Sequence, residues 1–368
     1  MNSWNVTTTN SPSLVTVDTT NNFAVGPTDG LPTEEFVFSS AAKIALTVVI
    51  SVVAATGLFG NAMVVFIVIR YKDMHTVINY SFANLALTDM TLLLLDAVPT
   101  AADTAGINLS ALLGCRAPIY LQFVTAEVTS LTLAFLSYDR YRHILHPLET
   151  LHQRSSGTLL KIFLSIWLVS FVVQIPSVLF AGLTAEGACS EYNAPWGQQY
   201  FFSYIFLFAY IVPFSIIVMC YLRIGRKMRE AGLPSSLTAN RRRRTVNITL
   251  TVIILYALCC APVHIVHMWM AFDPEVTPKS PRYVELHTVA NVVMFFNSSA
   301  NPFVYALIGQ SFRKHMKGMV KSTAECHMKC VAPNPRIKSR QSETEPQTAH
   351  ISSKQTVWSS ENSLSTWL

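Results

Sequence analysis

A bundle of seven membrane-crossing helices, with a short amphipathic eighth helix, is the all-α fold this sequence predicts, on three observations. Hydrophobic residues make up 51% of the 368 and charged residues only 13%, where a soluble domain carries about 25% charged. Seven apolar runs are each long enough to cross a bilayer core of about 30 Å, which takes about 20 helical residues. Lys and Arg collect in alternate connections between those runs. The mean hydropathy of +0.36 agrees. The seven cysteines are scattered along a long chain and do not form the framework of a small disulfide-stapled domain.

The runs follow in order. Ile44–Ile69 has no formal charge, Val77–Leu95 carries only Asp89, and Ala117–Tyr138 carries only Glu127. Ile162–Leu183 and Tyr200–Leu222 are uncharged, and Thr245–Phe272 and Leu286–Ile308 carry His alone. The chain starts polar, from Met1 to Asn10, so no signal peptide is expected and the first run serves as its own insertion signal. Eighteen Lys and Arg fall on one side, including Arg241 to Arg244 before the sixth run; only Lys43, Arg116, Lys279 and Arg282 fall on the other. Positive charge stays inside, which places the N-terminus outside and the C-terminus in the cytoplasm of a multi-pass membrane protein.

The expected domains are an extracellular N-terminus over 1–42, the seven-helix domain over 43–309, an amphipathic helix over 310–322 and a cytoplasmic tail over 323–368. Asn5 and Asn108 open glycosylation sequons on the predicted outside. Over Gln310–Lys321, Phe312, Met316, Met319 and Val320 oppose Arg313, Lys314, Lys317 and Lys321, a pattern that lies in the lipid headgroup layer. Cys326 and Cys330 follow as palmitoylation candidates or as free cytosolic thiols. Twelve of the last thirty residues are Ser or Thr; so polar a segment cannot bury enough surface to fold.

Polar groups inside a membrane are costly, so each asks for a reason. Here they form an ordered set: Gly60-Asn61 in the first run, Asn84 to Asp89 in the second, Asp139-Arg140-Tyr141 closing the third, and Trp167 in the fourth. Pro213 and Pro262 mark the fifth and sixth, and Asn301-Pro302-Phe303-Val304-Tyr305 the seventh. One such feature per helix, in this order over residues 40–322, resembles the rhodopsin-like G protein-coupled receptors. The alternative from another class is a seven-helix transporter, which predicts inverted repeats; no such internal symmetry is visible.

The resemblance implies roles for residues in this chain. Cys115 would pair with Cys189 and staple the second outer loop over the pocket. Arg140 would be held at rest by Asp139, with Tyr141 completing the motif, and would meet the G protein when helix 6 swings out. Pro147 and Leu148 would give the G protein an apolar knob, and Tyr221 and Tyr305 would meet across the opened core. Asn61, Asp89, Thr129, Asn297, Ser298 and Asn301 would hold one allosteric sodium ion, no other cofactor being expected; the alternative for Asp89 is a hydrogen-bonded core acid. Two positions depart from the family. Cys260 stands two residues before Pro262, where the family usually has Trp, with Tyr256 and Ser130 altering the same switch. Arg242 stands where some members carry an acid that locks Arg140.

For the ligand, Gln122 occupies the helix 3 position where amine receptors have Asp, and Phe295 the helix 7 position of the retinal Lys, which argues against both classes. Pro262 through His264, His267 and Trp269 resembles the galanin receptors, while Cys115 to Gln122 and Cys189-Ser190-Glu191 resemble the allatostatin-A and kisspeptin receptors. The expectation is a neuropeptide receptor of that cluster, galanin/allatostatin-A-like, with a kisspeptin-like receptor as the alternative. Gln122, His264, His267, Trp269, Asp96 and Glu191 are the expected ligand contacts. His264 and His267, three apart, share a helical face; either both line the pocket or one of them packs. Zinc takes three or four protein ligands, and no further ones cluster beside the two histidines, so a zinc site is not expected. Asp96, Asp103, Glu186, Glu191, Asp273, Glu275 and Glu285 form an acidic rim or an ordinary solvated loop surface. Glu127, about 140° round the helix from Gln122, faces helix 4 or 5.

On the cytoplasmic side a heterotrimeric G protein is the expected partner, with receptor kinases and arrestin on the Ser/Thr-rich tail and anionic lipid near Arg241 to Arg244 rather than nucleic acid. Ser365 to Leu368 fit a PDZ scaffold ligand. No catalytic motif is present, so no enzymatic activity is expected.

Overall fold

The computed structural model describes residues 38–107, 109, 114–146, 156–183, 189–194, 197–230, 237–277, 280–309 and 311–318. The chain separates into two units, Met1–Lys317 and Gly318–Leu368, and the packing below belongs to the first. Its helices are α1 (Ser40–Arg70), α2 (Val77–Thr104), α3 (Arg116–Leu145), α4 (Gly157–Phe180), α5 (Gln198–Arg229), α6 (Leu237–Phe272), α7 (Pro281–Ile308) and α8 (Ser311–Gly318). The first six are each long and apolar enough to cross a membrane. The seventh meets that test only together with α8. It carries Asn291 in its outer half and Asn297, Ser298, Ser299 and Asn301 in its inner half, which dilute its hydropathy.

Several ends differ from expectation. α3 does not close at Asp139-Arg140-Tyr141 but continues to Leu145. α2 runs to Thr104, through a π-helical turn over Leu93–Ala97 that precedes Pro99. α4 breaks at Gln174 and stops at Phe180 rather than Leu183. Gly182–Leu183 instead forms β1, antiparallel to β2 (Cys189–Ser190). The backbone of α6 begins in the basic segment, ahead of Thr245.

Burial is inverted relative to a soluble fold. Leu164, Leu168, Val172 and Leu179 expose 59–66% of their surface along one face of α4, where lipid tails rather than water suit them. Asn61, Thr88, Asp89, Glu127, Ser298 and Asn301 are all buried. Buried polar side chains are hydrogen-bonded to one another within a core that is otherwise apolar. Trp167 Nε1 donates to Asn84 Oδ1 at 3.0 Å, and Asn84 Nδ2 donates to Thr132 Oγ1 at 2.8 Å, so three side chains tie α4, α2 and α3 together.

The prolines explain two further bonds. A helical Pro has no N–H, so the carbonyl four residues earlier loses its partner. Before Pro302 that carbonyl is Ser298, which accepts from Asn61 Nδ2 at 2.9 Å. Before Pro213 it is Ala209, which accepts from Tyr256 Oη at 3.4 Å. α1 and α7 approach closely where Gly57 faces Ser299 and Gly60 faces Pro302. Below them Phe312 of α8 is buried near Phe82 and Tyr305. His315 stacks on Tyr71 and bonds to Asp73 at 2.9 Å; that bond holds the Asp73 carboxyl below its usual range.

Candidate functional site

Two cavities open from the predicted outer end of the bundle. The wider, about 640 Å³, is bounded by α2, α3, α7 and the segment after β2 and includes Asp96, Asp103, Gln122, Glu191, His287 and Asn291 in its wall. The second is narrow, about 60 Å³, and runs from Gln122, Glu191, His264 and His267 past Cys260 to Thr129, Asn297, Ser298 and Asp89. Gln122 and Glu191 line both.

The outer wall is held by local chemistry. Cys115, at the start of α3, is bonded to Cys189 of β2, and Arg116 Nε donates to Ala181 O at 3.1 Å. These ties carry the residue after β2, Glu191, over the bundle. There Glu191 Oε2 lies 3.1 Å from His267 Nε2 of α6. Burial alone would raise the Glu191 carboxyl, but the neighbouring His267, with His287 and His264 behind it, reverses this and brings it to about 2. On the opposite wall Gln122 Nε2 donates to Asp96 Oδ2 at 2.8 Å, and Thr100 Oγ1 donates to Asp96 Oδ1 at 3.3 Å. Asp96 and Glu191 are thus partly buried carboxyl groups of the cavity wall, which Asp103 joins; of the expected acidic rim, Asp273, Glu275 and Glu285 line neither cavity, and Glu186 lies outside the described residues.

Both helix 6 histidines line the narrow cavity, so neither is only a packing residue, although His264 also sits against Phe206 and Tyr210. Trp269 is not brought to either cavity; its Nε1 donates to Asp273 Oδ2 at 3.2 Å, one turn on. The residues that sequence reasoning missed are on α7: His287, whose Nε2 is 3.2 Å from that of His267, and Asn291 beside it. His287 sat in the seventh run as an isolated histidine, and only the register of α7 against α6 brings it to the cavity. Contrary to the expectation of no further metal-type ligands, Glu191, His267 and His287 converge, each offering one ligand atom within 4.8 Å of the others. Glu127 faces α4, accepting from Gln174 Nε2 at 3.2 Å across two buried side chains.

Deeper in, Asn301 Nδ2 donates to Asp89 Oδ2 at 2.9 Å and Thr129 Oγ1 donates to Thr88 Oγ1 at 2.8 Å. The Oδ1 atoms of Asn61, Asn297 and Asn301 are buried with no hydrogen-bond partner among the described residues. A carboxylate with orphaned amide oxygens nearby is a donor set that suits a hard cation. At the inner face Arg140 is buried and ion-paired with Asp139. Tyr305 stacks on Phe82 at 4.0 Å, and the hydroxyls of Tyr305 and Tyr221 are buried without a hydrogen-bond partner among the described residues.

Residues 60–305 match the family described as 7 transmembrane receptor (rhodopsin family). The chain belongs to the rhodopsin family of seven-transmembrane receptors. Among similar proteins, G-protein coupled receptor 54 of Oreochromis niloticus is 29% identical over 73% of this chain and 76% of its own length. Somatostatin receptor type 4 of Rattus norvegicus is 29% identical over 75% and 72%, and the KiSS-1 receptor of Rattus norvegicus 31% identical over 70% of each. These relatives are receptors, not enzymes. The rhodopsin-family match spans α2 through α6 entire, together with all of the deep polar cluster and the inner Asp139–Arg140 pair. Asn5, Asn108, Pro147, Leu148, Cys326, Cys330 and the PDZ-type end lie outside the described residues.

Proposed function

We propose that this receptor binds an extracellular neuropeptide between its outer loops and helices and activates a heterotrimeric G protein. The observation that carries the reading is the 640 Å³ cavity, open enough for a peptide end and walled by Asp96, Gln122 and Glu191. Partly buried carboxylates favour a cationic or amide-rich ligand over an apolar one. The names of the relatives, somatostatin and KiSS-1 receptors among them, support a peptide rather than an amine. Within the class, Pro262 to Trp269 favours a galanin/allatostatin-A-like ligand, whereas the G-protein coupled receptor 54 and KiSS-1 relatives favour a kisspeptin-like one.

Activation would follow from differential affinity: a ligand that grips the outer ends more tightly when α6 is swung out shifts the population to that state. Pro262 supplies the hinge in α6. The Asp139–Arg140 pair would open to the G protein, with Pro147 and Leu148 alongside, and the unpartnered Tyr221 and Tyr305 hydroxyls would find each other. Asp89, Asn61, Thr129, Asn297, Ser298 and Asn301 would hold sodium in the resting state. Further proposals are plasma-membrane residence with the N-terminus outside, glycans on Asn5 and Asn108, palmitate on Cys326 and Cys330, anionic lipid at Arg241 to Arg244, and arrestin, kinases and a PDZ scaffold at the tail.

The test is a cell-based screen of galanin-like, allatostatin-A-like and kisspeptin-like amidated peptides, read by adenylate cyclase inhibition and by calcium release. A nanomolar response to one peptide family is expected and decides between the two readings. Silence to every peptide, in a receptor shown to reach the surface, would overturn the peptide assignment.

A further inference from the structure

The three side chains that meet at the mouth of the narrow cavity come from three separate elements. Glu191 follows β2, His267 is in α6 and His287 is in α7. His267 Nε2 lies 3.1 Å from Glu191 Oε2 and 3.2 Å from His287 Nε2, and all three ligand atoms fall within 4.8 Å of one another. We infer that these residues form a three-ligand site for a zinc-class divalent cation, which joins the second outer loop to α6 and α7.

The spacing is the first argument. Zinc bonds of about 2.0–2.2 Å in tetrahedral geometry put ligand atoms about 3.3–3.6 Å apart. The two short separations here need to open by only a few tenths of an ångström for a metal to enter between them. Two imidazole nitrogens and one carboxylate oxygen are also a donor set known to suit zinc, and it is one that magnesium and calcium, which prefer all-oxygen shells, use poorly.

The second argument is that hydrogen bonding serves this cluster badly. A neutral imidazole has one N–H and one lone pair. If His267 Nε2 carries the proton, that single proton faces both the Glu191 oxygen and the His287 nitrogen. His267 Nδ1, on a ring only 3% exposed, is buried with no hydrogen-bond partner among the described residues. If Nε2 is instead unprotonated, its lone pair points at a carboxylate oxygen; if both nitrogens carry protons, Nε2–H pairs with Glu191 but Nδ1–H is buried without an acceptor among the described residues. A cation placed among the three atoms meets three lone pairs at once and removes the conflict at Nε2, the ring proton then standing on Nδ1.

The surroundings are those of a built site. Phe202 packs on His267 with ring centroids 4.6 Å apart, and Tyr283 stacks on His287 at 5.3 Å, which fixes both ring planes. Asn291 sits 3.5 Å from His287 Nδ1; with its amide oxygen turned to the ring it accepts from Nδ1–H and frees Nε2 for the metal. Glu191 and His287 line the wide cavity and Glu191 and His267 the narrow one. The metal's fourth position therefore faces open space, where water completes the tetrahedron.

The inference does not depend on which ligand the receptor takes, so its test uses no peptide. The purified full-length receptor in lipid nanodiscs is titrated with zinc chloride, followed by calorimetry and by thermal unfolding. One zinc per receptor is expected, with a raised Tm that magnesium chloride does not reproduce. Each of H267N, H287N and E191Q should weaken zinc affinity about tenfold or more, while H315N, at the remote α8 contact, should bind as the wild type does. H287N and E191Q, at partly exposed positions, carry the test should H267N not fold. No stoichiometric binding, or equal affinity in the wild type, H287N and E191Q, would overturn the site.

Discussion

Gln122 donates to Asp96 at 2.8 Å within one wall of the wide cavity, and its partner is the carboxyl group of a partly buried side chain. A ligand that hydrogen-bonds to this pair loses about 1.5–3 kcal/mol, for a bond to a charged group, when the Gln122 amide is removed. Q122L is therefore expected to lower peptide potency by about ten- to a hundredfold, measured as a concentration–response shift at matched surface expression. Unchanged potency would place the ligand away from α3. Asp89 gives a second residue-scale prediction. Its hydrogen bond to Asn301 and the orphaned amide oxygens around it fit sodium, so agonist affinity in the wild type should differ between sodium chloride and choline chloride. In D89N that difference should vanish; if it persisted, the ion would sit elsewhere. These residues were legible in the sequence because a polar group in a membrane span stands out against its neighbours. His287 and Gln174 were not, because what matters about them is which side chain on another helix they meet.

At the scale of elements, length and apolarity were enough to place the seven spans, since the bilayer sets a length that a sequence either meets or does not. The ends were less legible. Leu183 reads as the last apolar residue of the fourth run, yet it pairs with Cys189 in a strand; Cys189 is itself bonded to Cys115 of α3, a long-range tie that no local pattern encodes. The π-helical turns over Leu93–Ala97 and Phe206–Ile211 likewise answer to prolines and to packing across helices. The contact between α1 and α7 was half legible, as Gly60-Asn61. Its tightest point is Gly57, where an added Cβ would lie 2.6 Å from Leu93 Cδ1 and 3.1 Å from Ser299 Cα, with Ser299 Oγ closer still. Overpacking of that kind costs about 1–3 kcal/mol. G57A should lower the Tm of the detergent-purified receptor, and by more than G60A, whose Cβ would meet only Pro302 at 3.0 Å. Equal Tm values for the two variants would mean that α1 shifts freely against α7.

Across the whole molecule, the narrow cavity joins the outer site to Asp89 without interruption, because Cys260 lines it where most rhodopsin-family receptors place an indole. The same substitution changes the balance of states. A large buried aromatic contributes about 3–5 kcal/mol of packing, and whatever share of that an indole would give specifically to the resting arrangement is missing here. Every 1.4 kcal/mol of it shifts the ratio of states about tenfold. The inner face bears on the same balance: Arg242 stands where the resemblance gives some family members an acid against Arg140, and Asp139 pairs with Arg140. The unliganded receptor is therefore expected to signal above mock-transfected cells at matched surface density, in whichever second-messenger assay reports its coupling. C260W should bring that basal signal down by refilling the space between α3, α6 and α7 in the resting state. A silent wild-type receptor, or a basal signal that C260W leaves unchanged, would show that packing elsewhere in the bundle holds the resting state, and that the small side chain at position 260 serves the shape of the cavity alone.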